Sequence, residues 1–95
     1  MAIFHRNDKG AGYFKITLAE LVAYSENPAP VCDDCIKPLA QRDDVILIPI
    51  LNGAYCPKCA PDVLASLDVY AEDKPIADRR EAFYADFFGT SLEVT

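Results

Sequence analysis

Apolar and polar residues alternate in blocks that change period along the chain, and each change of period marks an element. Ala2 to Arg6 reads as a short strand, and Gly12 to Ile16 as its returning partner. Asn7-Asp8-Lys9-Gly10 between them is turn chemistry, because Asn, Asp and Gly tolerate positive φ. Thr17-Leu18-Ala19-Glu20 is a capping box. It predicts a helix from Leu18 to about Ser25, with Leu18, Leu21, Val22 and Ser25 towards one face. Asn27-Pro28-Ala29-Pro30 ends that helix, since residues before proline avoid the helical region.

Asp44 to Leu51 reads as a strand, and Val45-Ile46-Leu47-Ile48 is apolar on both of its faces. Such a strand is buried on both sides or covered by a partner. Asn52-Gly53 predicts a two-residue hairpin turn, which would pair Leu51 with Ala54, Ile50 with Tyr55 and Pro49 with Cys56. Pro49 has no N–H, so the ladder is expected to fray there. Ala60, Val63, Leu64 and Leu67 recur at helical spacing and predict a helix from about Ala60 to Asp68, with Pro61 in its first turn. A third helix starts at Pro75, runs to Phe88 and stops at Gly89, a left-handed cap. Ser91 to Thr95 reads as a short strand or a frayed end.

In the last helix Ile76, Arg80, Phe83, Tyr84, Phe87 and Phe88 fall on one broad face, and Asp78, Arg79, Glu81, Ala85 and Asp86 on a face expected to be solvated. The aromatic face has two readings. It closes the chain's own core, or it is a partner or homodimer surface carried by Phe83, Tyr84, Phe87 and Phe88. Tyr13-Phe14 reads as core, and His5, the only histidine, as a surface residue.

At 95 residues the chain is the size of one small domain. We divide it into a hairpin and helix over 1–31, a cysteine-bearing unit over 32–70 and the last helix over 75–89. A domain this short has a thin core and calls for a cross-link. No apolar run approaches the ~18 residues of a membrane span. Met1 to Gly12 lacks a long apolar core behind basic residues, so no secretory signal is expected and a cytoplasmic, reducing setting follows.

In that setting four cysteines point to metal or redox chemistry before disulfides. Cys32-Asp33-Asp34-Cys35 and Cys56-Pro57-Lys58-Cys59 stand 20 residues apart, a C-x₂-C-x₂₀-C-x₂-C frame. Cysteines three apart can turn both sulfurs onto one metal, and two such pairs give four thiolates at about 2.3 Å in a tetrahedron. Four protein ligands leave no water position, so the expected site is one structural Zn²⁺. Cys59 would sit at a helix N-terminus, which favours thiolate. Lys37 and Lys58 offset some of the negative charge, whereas Asp33 and Asp34 add to it without a reason visible in the sequence.

Knuckle, hairpin, second knuckle and helix together resemble the treble-clef zinc finger. Tyr55-Cys56-Pro57-Lys58-Cys59 after Asn52-Gly53 is similar to the second half of a LIM-type finger. The spacing is near that of GATA-type fingers and of the small zinc proteins of the DksA/TraR family, which bind RNA polymerase. The resemblance covers residues 32 to about 67 and implies a fold and a metal, not a function. Ile36 stands where many knuckles have glycine, there is no second zinc set, and neither a GATA basic tail nor a DksA-like coiled coil is present.

The formal charge is −6, and residues 1–15 contribute +2 of it through Arg6, Lys9 and Lys15 against Asp8. Four thiolates with one Zn²⁺ would add a further −2. Such a field repels phosphate backbones and favours basic partners, so duplex nucleic acid is not an expected ligand. The expected α+β domain is therefore a non-enzymatic, acidic, zinc-stabilised module that binds or regulates a protein. Two other classes stay open: a thiol redox protein or sensor using Cys56 and Cys59, and an acidic mimic of nucleic acid that blocks a DNA-binding protein.

Overall fold

A computed structural model describes residues 2–92. The elements run β1 (Ile3–Arg6), β2 (Gly12–Ile16), α1 (Leu18–Ser25), β3 (Val45–Ile48), β4 (Gly53–Tyr55), α2 (Ala60–Ser66) and α3 (Lys74–Phe88). The strands form one antiparallel sheet in the order β1-β2-β3-β4. The chain is thus a small α+β domain. No helix among the described residues is long and apolar enough to cross a membrane. The expectation for Ser91 to Thr95 falls mostly on residues 93–95, outside the described residues.

Strand register separates the two faces of the sheet. Phe4 pairs with Phe14, Phe14 with Leu47, and Leu47 with Ala54, which puts these side chains on one face. The helices α1 and α3 cover it. Tyr84 and Phe88 of α3 lie 6.0 and 6.4 Å from the Phe14 ring, and Tyr24 of α1 lies 5.1 Å from Tyr84. The other face carries Tyr13 and Lys15 of β2 and Ile46 of β3, and α2 flanks it: Ala60 and Leu64 share a cavity of about 360 Å³ with these residues. Asn7 Nδ2 and Lys9 Nζ donate to the carbonyls of Leu64 and Ala65, so the β1–β2 turn also holds α2. Helices on both faces explain the unbroken apolar run of β3, whose four residues are all buried. The chain itself therefore covers this strand, and its composition gives no ground for a dimer.

Two helix-end signals are realised where expected. Thr17 Oγ1 accepts from Glu20 N at 3.1 Å, and a Glu20 carboxylate oxygen accepts from Thr17 N at 2.9 Å, closing the capping box. Gly89 caps α3 with φ 67°. The β3–β4 turn departs from expectation. Gly53 pairs with Ile48, so the loop is Pro49–Asn52 and not Asn52-Gly53. Leu51 N and Asn52 N donate to the carbonyls of Ile48 and Pro49, and Asn52 alone of the two expected turn residues is left-handed, at φ 52°. Pro49 cannot donate to a ladder, so pairing stops one residue before it.

The α3 face also departs. Glu81 and Ala85, expected in solvent, are 4% and 8% exposed, whereas Phe83, Phe87 and Ile76 are exposed. The packed stripe is Ala77, Glu81, Tyr84 and Ala85, with Arg80 and Phe88 half-buried at its edges. Glu81 tolerates burial because Arg6 Nη2, from β1, donates to its Oε1 at 2.9 Å. Gly12 makes room for this pair: a Cβ there would lie 2.7 Å from Glu81 Oε2 and 2.8 Å from the Phe4 ring. Arg80 Nη1 donates to the Pro49 and Ile50 carbonyls at 3.0 and 3.2 Å, and the Tyr84 hydroxyl donates to Asn52 Oδ1. By these bonds α3 holds the β3–β4 turn, the turn that sends the chain into the second cysteine pair.

Candidate metal centre

Each cysteine pair is shaped by backbone turns. In the first, Val31 and Pro38 form an isolated bridge, Cys32 N donates to the Lys37 carbonyl and Ile36 N to the Cys32 carbonyl, both at 2.9 Å. Ile36 closes this turn in the left-handed region, at φ 63°, the conformation that glycine adopts most freely. In the second, Cys59 N and Ala60 N donate to the Cys56 carbonyl at 3.2 and 3.0 Å, and the chain passes directly into α2. Cys59 caps that helix and Pro61 occupies its first turn, as expected.

The sheet edge joins the two turns. Asp33 N donates to the Ala54 carbonyl at 2.9 Å, and Ala54 N returns a bond to Asp33 Oδ2 at 2.7 Å. Asp33 thus clamps the first knuckle to β4, a role that sequence reasoning missed. Its signal was an aspartate directly after the first cysteine, a short acceptor placed where a knuckle must dock on a strand edge. Asp34 contributes its amide, which donates to Cys32 Sγ at 3.4 Å. Cys56 N donates to the same sulfur at 3.3 Å, so the second cysteine pair hydrogen-bonds to the first through a cysteine sulfur.

The outcome is one cluster. The Sγ atoms of Cys32, Cys35, Cys56 and Cys59 all lie within 4.8 Å of one another. A tetrahedron with metal–sulfur bonds of about 2.3 Å has sulfur–sulfur edges of about 3.8 Å, so a small contraction turns this cluster into a coordination shell. The four cysteines could hold a metal ion, and no cysteine of the described residues lies outside the group.

The electrostatics differ from one sulfur to another. Burial pushes the Cys32 thiol up, but the amides of Cys56, Cys35 and Asp34 outweigh it and bring the group down to about 7. Cys59 is pushed up, first by its hydrogen bond to Cys56 and then by burial. The sulfur readied to ionise is therefore the buried one at the centre of the amide donors. Tyr55, beside the centre, is raised by burial and by the charges of Asp33 and Asp34.

The four aromatics expected at a partner surface divide. Tyr84 is 2% exposed and belongs to the core, and Phe88 packs half-buried against it. Phe83 and Phe87 remain outward, at 58% and 48% exposure. Both stand edge-on to Tyr24, at 6.2 and 5.2 Å between centroids. Tyr24 is the aromatic that the sequence reading left out, although it lies three residues after Leu21 on the same side of α1. His5 stacks on Tyr13 across the β1–β2 pair, at 5.2 Å.

The chain matches no family model, no curated protein and no solved structure.

Proposed function

We propose that Cys32, Cys35, Cys56 and Cys59 hold one structural Zn²⁺ in a finger of treble-clef type, and that the protein is a non-enzymatic, acidic module that binds another protein. The observation that carries the first half is the clustering of four sulfurs from two turns, with backbone amides already directed at Cys32 Sγ. All-sulfur donor sets of this number suit zinc, and four protein ligands leave no position for a reacting water. Zinc binding then contributes folding energy on the order of 10 kcal/mol, comparable with the whole stability of a small domain. The role is to fix the β3–β4 hairpin and α2 in a chain with a thin core.

The second half rests on surface chemistry. Phe83 and Phe87 project from α3 beside Tyr24, and large aromatics dominate interface energetics. The formal charge of −6 disfavours a phosphate backbone and attracts basic segments. Elemental analysis of protein purified without added chelator tests the zinc assignment: one zinc per chain is expected, with loss of the fold in Cys32→Ser. Less than about 0.2 metal per chain with the fold intact would remove it, because structural sites of this kind retain their metal.

A further inference from the structure

Between α1, the first knuckle and the β3–β4 turn lies a cavity of about 280 Å³ whose lining includes Leu21, Tyr24, Asp33, Asn52, Ala54 and Tyr84. Its size suits a single side chain better than a drug-sized ligand. Several of its polar side chains are held in hydrogen bonds. Asp33 Oδ2 is fixed by Ala54 N at 2.7 Å, and Asp33 is the one charged residue of the lining. Asn52 is fixed by the Tyr84 hydroxyl and by its left-handed backbone. The lining contains no lysine, arginine or histidine. The cavity thus offers one carboxylate, uncharged polar side chains and the rings of Tyr24 and Tyr84.

Tyr24 connects it to the outer surface. The same ring that lines the cavity stands edge-on to exposed Phe83 and Phe87. We propose that the cavity receives the guanidinium of an arginine from a basic partner segment, while an adjacent apolar residue of that segment rests on Phe83 and Phe87. The proposal rests on the reading of the protein as a protein-binding module and names the chemistry of its partner. Guanidinium fits better than ammonium. It is planar, carries five donors for carboxylate, amide and hydroxyl oxygens, stacks on aromatic rings and is less strongly hydrated. The formal charge of −6 steers such a segment towards the surface.

The test is an amide chemical-shift titration of the zinc-loaded chain with N-acetyl-phenylalanyl-arginine amide, beside its citrulline and lysine counterparts. The arginine probe is expected to bind with a dissociation constant of about 1 mM, as befits a dipeptide. The shifts should centre on Tyr24, Asp33, Asn52 and Gly53. Citrulline and lysine probes should bind at least about fivefold more weakly. Asp33→Asn should weaken the arginine probe by a similar factor. Because Asp33 also clamps the knuckle, Asn27→Lys provides a variant at the cavity wall outside it. It should cost the same factor with zinc content and circular dichroism unchanged. Absence of shifts at these amides up to about 10 mM, equal binding of the citrulline or lysine probe, or full binding by Asn27→Lys would overturn the proposal. Shifts confined to Phe83 and Phe87 would also overturn it, while leaving the protein-binding reading intact.

Discussion

Replacing Arg6 by Met should destabilise the protein well beyond the usual effect of a surface substitution. Arg6 Nη2 donates to Glu81 Oε1 at 2.9 Å, and the Glu81 side chain is only 5% exposed, against 33% for Arg6. Methionine is apolar and of similar reach, but it gives up the guanidinium that now sits over the Phe4 ring, its carbon 5.1 Å from the centroid. The change removes the charge and leaves a carboxylate that water barely reaches without its ion-pair partner. Breaking a fully buried pair costs about 3–5 kcal/mol. The exposed third of Arg6 admits solvent screening and brings the expected cost to about 2–3 kcal/mol. The second bond of Arg6, from Nη1 to the Gly10 carbonyl at 2.9 Å, is exposed and adds little. In a domain of this size such a loss lowers the melting temperature by roughly 10–20 °C. Urea unfolding of zinc-loaded wild type, Arg6→Met, Glu81→Leu and the double variant, followed by circular dichroism, gives the cycle. The double variant should recover much of the loss, because it removes both charges and fills the space. Arg6→Met within about 0.5 kcal/mol of wild type would refute the reasoning and show that Glu81 remains hydrated.

Gly12→Ala should cost about 2 kcal/mol or more in the same assay, because its Cβ would meet Glu81 Oε2 at 2.7 Å and the Phe4 ring at 2.8 Å. Phe83→Ser and Phe87→Ser should each change stability by less than about 1 kcal/mol, whereas Tyr84→Ala should cost about 3–5 kcal/mol, since only the last ring is enclosed. Zinc affinity should fall as the pH is lowered from about 8 to 6, because protons compete for the sulfurs. Cys32, at about 7, yields its proton before Cys59, which is pushed up by its bond to Cys56 and by burial. Calorimetry in buffers of different ionisation enthalpy should show roughly three to four protons released per zinc at pH 7, and a pH-independent affinity would contradict this.

What could be read from the sequence follows the range of each interaction. The capping box at Thr17 and Glu20 involves residues three apart, and the Gly89 cap is equally local, so both elements end where their chemistry says. The cysteine frame was legible because its spacing encodes geometry, and the sulfurs do meet. The β3–β4 register was misread because two local signals competed. Asn52-Gly53 favours a two-residue turn, but Pro49 had already removed the donor which that register needs. The α3 face was misread for a different reason. Glu81 looks solvated beside Asp78 and Asp86, and its burial depends on Arg6, 75 residues away, and on the missing Cβ of Gly12. Asp33 was opaque in the same way, since its partner is the backbone of Ala54 on another element. Ile36 stands where many knuckles have glycine, and its φ of 63° shows that the left-handed turn forms with isoleucine there.

The central claim is that four sulfurs form a single metal shell, and X-ray absorption at the zinc edge of protein purified without added chelator addresses it most directly. The account predicts one zinc per chain surrounded by four sulfur scatterers at about 2.3 Å and no nitrogen or oxygen neighbour. A shell of two sulfurs with light atoms, or a folded protein that carries no metal, would contradict it.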